Sequence, residues 1–140
     1  MSMETYAIFT GEMPSVADFE AEMKRIGFPV ALDKDVTSLE ESEGFQPMTW
    51  GEEETGVEMD LWLRSDDEEF FEDVDVSPDL DRVCVFRWGG DETEMLCGLF
   101  GVAAIAGLTG GTVYDGESGE IMDAKGAAEL AVRVKKELNL

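Results

Sequence analysis

The run R82-VCVFRWGGDETEMLCGLFGVAAIAGLTGGTVYDGESGEIM-D123 decides how this chain folds. Its first seven residues, Arg82 to Trp88, are rich in β-branched and aromatic side chains and predict a strand. Gly89 and Gly90 break it. Asp91 then caps a helix, with Glu94 three positions on and both acids at the positive end of the helix dipole. From Met95 onward that helix is apolar nearly all round, the pattern of a helix buried on more than one side. Met95, Leu99 and Val102 form a bulky stripe, and Cys97, Gly101 and Ala104 a stripe of small side chains. Small residues let another backbone come close, so this stripe is expected to lie against a sheet or a neighbouring helix. Gly110 and Gly111 end the helix. TVYD, GESG and EIMD then read as two short strands around a four-residue turn.

Outward from this run, the rest of the chain alternates in the same way. Tyr6 to Thr10 predicts a strand. Ser15 caps a helix whose apolar face is Val16, Phe19, Met23 and Ile26, closed by Lys24, Arg25 and Gly27. Pro29 to Leu32 and Phe45 to Trp50 predict strands, each placed at an edge by its proline. TGVEMDLWLR, residues 55–64, is the clearest strand. Val57, Met59, Leu61 and Leu63 point one way, and Glu58, Asp60, Trp62 and Arg64 the other. Its alternation argues against a fully covered parallel sheet. Residues 65–81 predict an acidic loop carrying a helical turn capped by Ser65 or Asp66, pinned by Phe70 or Phe71. Asp123 caps a last helix with a stripe of Ala127, Leu130, Ala131, Val134 and Leu138. The expectation is one α+β domain over residues 1–140: a mixed or antiparallel sheet under about three helices, with two β-α-β-like units.

The chain has 33 acidic and 10 basic residues, a formal net charge of −23, and no histidine. Such a field repels phosphate backbones and anionic lipid, so neither nucleic acid nor a membrane surface is an expected partner. MSMETYAIFT lacks a basic region followed by an apolar one, and Met95 to Leu108 falls short of the roughly 20 residues that span a bilayer. A cytoplasmic protein is expected. Cys84 and Cys97 match neither a zinc spacing nor a redox pair and read as buried free thiols.

The acids are not spread evenly. Residues 33–81 hold 19 acids and 2 bases, a net −17 in 49 residues, against −6 for the other 91. Crowding like charge works against the fold through self-repulsion. One reading is a solvated acidic loop. The other is a recognition surface for a basic protein, where complementary charge speeds encounter. Trp62 lies among Glu58 and Asp60 on the polar face of its strand, the composition of a binding hot spot, unless a later segment folds over it. The candidate partner-binding residues are therefore Glu58, Asp60, Trp62, Asp66, Asp67, Glu68 and Glu69.

Chemistry is harder to find. DGESGE, from Asp115 to Glu120, has alternate acids like a calcium loop. It carries Glu120 and Gly126 where such a loop needs glycine and glutamate, and reads as a turn. The glycines before Asp91 suit an anion, but Asp91, Glu92 and Glu94 repel one. With no histidine the commonest general base is missing, and no catalytic residue, metal ligand set or cofactor is assigned.

The run Arg87 to Met122, with its WGGDE, small-residue helix and GGTVYDGESGE hairpin, resembles small bacterial α+β proteins of unassigned function. Several of those resemble immunity proteins of toxin systems. The resemblance covers roughly the last third of the chain and implies an acidic protein that neutralises a basic toxin; it implies nothing about catalytic residues. The functional expectation is a non-enzymatic acidic protein that captures a basic protein. The alternatives are a carboxylate-dependent enzyme or divalent-cation-binding protein, and self-association through the small-residue helix face or a sheet edge.

Overall fold

The computed structural model describes residues 3–140. Met1 and Ser2, part of the run read for a leader, lie outside them. Seven strands form one sheet: β1 (Met3–Phe9), β2 (Val30–Leu32), β3 (Glu43–Trp50), β4 (Glu53–Leu63), β5 (Arg82–Trp88), β6 (Thr112–Asp115) and β7 (Ile121–Asp123). Their order is β2-β3-β4-β5-β1-β6-β7, and every neighbouring pair is antiparallel. β1 is thus inserted between β5 and β6, which makes those two parallel across it.

Three helices cover one face: α1 (Val16–Ile26), α2 (Glu92–Thr109) and α3 (Ala124–Glu137). Each starts where a side-chain oxygen satisfies a free backbone N–H of its first turn. Ser15 Oγ accepts from Asp18 N at 3.1 Å, Asp91 Oδ1 from Glu94 N at 2.9 Å, and Asp123 Oδ1 from Gly126 N at 2.7 Å. α2 lies on β1, β4 and β5, and α1 and α3 pack against α2.

Leu96–Ala106 of α2 are buried without exception, so a helix apolar enough by composition to cross a membrane is here the interior of the fold. The small stripe faces the sheet. A Cβ on Gly101 would stand 2.6 Å from the Phe86 ring, and one on Gly98 would stand 2.6 Å from Trp88. Cys97 Sγ lies 3.8 Å from Thr55 Oγ1 of β4. That face is consequently closed to self-association. Cys84 and Cys97 are free and buried, and burial raises both thiol pKa values, that of Cys97 to about 11. A neutral, inert thiol follows.

Three local expectations change. β1 begins at Met3 rather than Tyr6, because the β5 partner strand reaches that far. β3 is not an edge strand, since β2 pairs with its last three residues. Pro47 is tolerated because its carbonyl accepts from Asp33 N at 3.2 Å on the side where β2 has ended, so no ladder donor is missing there. Opposite Pro47 stands Gly56 at φ +147°, where a Cβ would lie 2.3 Å from Gln46 O and only glycine fits. Residues 64–72 contain two short 3-10 turns, Arg64–Asp66 and Phe70–Glu72, in place of one α-helical turn. Asp66 serves the first turn, its Oδ2 accepting from Leu63 N at 2.9 Å, and Asp67 the second, its Oδ1 accepting from Phe70 N at 3.2 Å.

Candidate functional site

The outer face of the sheet, away from the helices, is finished in two parts. Ile8, Val83 and Val74 form a small second core, joined by Tyr6, Trp62, Phe70, Phe71, Val76, Leu80 and Tyr114. The acidic segment thus folds over Trp62. The Trp62 ring meets Phe70 edge-on at 5.6 Å and Phe71 at 6.3 Å. Arg64 holds the segment closed, donating to Ser77 O at 2.9 Å and Leu80 O at 3.0 Å while lying 4.2 Å from the Phe71 ring centre.

Beside this covered patch the sheet is bare. Glu43 stands directly opposite Asp60, and Phe45 directly opposite Glu58. Facing carboxylates on adjacent strands repel. Arg87 offsets part of this by reaching Asp60 Oδ2 at 2.6 Å and Glu4 Oε1 at 3.1 Å. Tyr6 donates its hydroxyl to the other oxygen of Glu4; burial first, and then that carboxylate, push the phenol pKa far up. Phe45 is 49% exposed, a large apolar side chain among acids.

Where β4 runs on past the start of β3, a cleft of about 550 Å³ opens at the end of the sheet, lined by Glu40, Glu41, Ser42, Glu43, Asp60, Leu61, Trp62, Leu63, Asp66 and Arg82. Five carboxylates face one guanidinium. That guanidinium is spent: Arg82 holds Glu40 through two bonds of 2.8 and 2.6 Å and also donates to Gly11 O at 2.7 Å. Arg82, helped by the Met13 N–H at 2.9 Å, holds the Glu40 carboxyl down at about 2. Glu41, Glu43 and Asp66 have no cation within ion-pair reach among the described residues. Ser42, 8% exposed, stands in the wall, and its hydroxyl has no hydrogen-bond partner.

Of the seven residues singled out in the sequence, the structure brings Asp60, Trp62 and Asp66 together at this cleft. Glu58 follows on the same strand face, opposite Phe45. Asp67 is engaged in capping the Phe70 turn. Glu68 borders a different depression, with Leu63, Arg64 and Phe71, and Glu69 is exposed at the start of the second turn. Glu40, Glu41, Ser42, Glu43 and Phe45 were not singled out. The β3–β4 register sets Glu43 opposite Asp60 and Phe45 opposite Glu58, and the chain entering β3 brings Glu40, Glu41 and Ser42 to the cleft. Among the described residues, no three carboxylates or thiols converge as a metal site would require. No family model, curated protein or solved structure matches the chain.

Proposed function

We propose that the protein is a non-enzymatic binding protein of the cytoplasm that captures a basic protein partner at the Trp62 cleft, in the manner of an inhibitor or immunity protein. The observation that carries the reading is the cleft's composition: three carboxylates without an ion-pair partner and an aromatic wall in one place. A lysine or arginine side chain entering there lies among Glu41, Glu43 and Asp66, the lining carboxylates that have no ion-pair partner, and against Trp62. Phe45 and Leu63, both about half exposed, give the partner apolar contact at the rim. The general negative field speeds encounter, while the cleft sets where the partner docks.

The test separates the site from mere charge. Affinity for a panel of small basic proteins is measured for the wild type and for two double variants, Glu43→Gln with Asp66→Asn, and Glu52→Gln with Glu54→Gln. Both remove two charges. Loss of affinity by roughly tenfold or more in the cleft variant alone supports the reading. Equal weakening in both reduces the effect to bulk electrostatics and ends it. Thermal stabilisation by calcium, magnesium or manganese that disappears with the cleft variant would favour cation binding instead.

A further inference from the structure

The helical layer, on the far side of the sheet from Trp62, carries a second groove that the acidic-cleft reading does not use. It holds about 610 Å³ and is lined by residues of all three helices. Its floor is apolar and small: Ala103 and Gly107 of α2, then Ala124, Ala128 and Val132 of α3, with Ile26 of α1 at the side. Val132 is 47% exposed. Its rim carries Arg25, Lys125, Arg133 and Lys136, with Glu22 and Glu129 between them.

Charge is what sets this groove apart. α1 and α3 together hold six of the ten bases and only five of the 33 acids, so these two helices are net +1 and the rest of the chain is net −24. Glu22 is already neutralised, since Arg25 holds both its oxygens at 2.7 Å and lowers its pKa. Lys125, Arg133 and Lys136 take part in no ion pair among the described residues, although acids outnumber bases more than threefold. Free cations around an apolar floor call for an occupant with acids beside an apolar stripe. Shape selects among such occupants. Ala124, Ala128 and Val132 follow one another at i, i+4 and i+8, a straight stripe about 12 Å long. The small side chains of Ala124 and Ala128 leave room for another helix to approach α3 closely, as in helix-in-groove recognition.

We infer that the groove over α2, between α1 and α3, is a docking site for an acidic amphipathic helix of a partner protein. It is separate from the Trp62 cleft, so the chain has two faces of opposite preference, one for a basic partner and one for an acidic helix.

The probe is a synthetic helical peptide with alanine and leucine on one face and glutamate on its flanks. Two controls replace its glutamates by lysine or its apolar face by serine. Fluorescence anisotropy should show saturable binding of the acidic amphipathic peptide and neither control, weakening severalfold as salt is raised. Arg133→Glu with Lys136→Glu should weaken it by at least tenfold. Ala128→Trp, which fills the floor from a partly exposed position, should abolish it with the melting temperature kept. Glu43→Gln with Asp66→Asn should leave it unchanged, so failure at one site is distinguishable from failure at the other. Several results would overturn the inference. These are no binding at millimolar peptide, binding indifferent to the groove variants, or preference for a free fatty acid over the peptide. So would light scattering that shows a dimer dissociated by Ala128→Trp, because the occupant would then be a second copy.

Discussion

On the inner face of the sheet, α2 presses Gly98 and Gly101 against Trp88 and Phe86. On the outer face, Trp62 lies under Phe70 and Phe71 of a segment with only two short turns. The first cover satisfies its own backbone hydrogen bonds and meets the sheet along its length. The second depends on a few aromatic side chains and on Arg64, and residues 65–81 carry nine acids and no base. A cover made of turns can hold such charge in water without disturbing the interior. Its local stability is correspondingly lower. Recognition can be built at little cost to folding beside the loose cover, at the Trp62 cleft.

The strongest way to break this comparison is at the tight cover. Gly101→Val puts branched carbon where a single Cβ already comes within 2.6 Å of Phe86, and should cost about 3 kcal/mol or prevent folding. Urea denaturation, with Gly101→Ala as the milder companion, measures it. At the loose cover, Phe70→Ala removes a half-buried ring that touches Tyr6, Trp62, Phe71 and Tyr114. About 2 kcal/mol is expected, together with faster proteolysis and hydrogen exchange in residues 65–81. Amides of α2 should keep their order of protection. If both regions loosen equally, the two covers are one cooperative unit.

A smaller effect tests the edge of the cleft. Glu40 has its pKa lowered from 4.5 to about 2, mainly by its bonds from Arg82. A depressed folded pKa contributes stability above the unfolded value, lost as pH falls through the folded one. The advantage of wild type over Glu40→Gln should therefore be full above pH 4.5 and vanish towards pH 2. Because the Glu40 side chain is 41% exposed, solvent screening limits it to about 1 kcal/mol. The smallest expected change is a rise in melting temperature with sodium chloride at pH 7, from screening of a net charge of −23, worth a few tenths of a kcal/mol to about 1 kcal/mol. It should shrink as the carboxylates are protonated, and a fall in melting temperature with salt would show that ion pairs outweigh repulsion.

Helix starts were legible residue by residue, because an N-cap involves only three or four neighbours in the chain. Ser15, Asp91 and Asp123 each cap as their spacing requires. The two sides of α2 and the alternation of Val57, Met59 and Leu61 were equally clear, since periodicity records which face is buried. Pro29 marked an edge strand correctly, since β2 ends the sheet, whereas Pro47 suggests an edge although what matters is only whether its missing N–H falls where a partner strand has stopped. The cleft was half legible. Trp62, Asp60 and Asp66 stand out by composition, whereas Glu43 and Phe45 gain meaning only from standing opposite Asp60 and Glu58.

By itself the sequence determined the class of fold, the burial of α2, the caps and the clustering of acid, because these depend on local periodicity and on counts. Tertiary structure alone decided that β1 enters between β5 and β6 and that the acidic segment closes over Trp62. It also decided that Ser42 and Asp66 line one cleft and that Arg25 and Arg133 line one groove. Each of those joins residues far apart in the chain, and such pairings are set by the packing of whole faces, which no local pattern encodes.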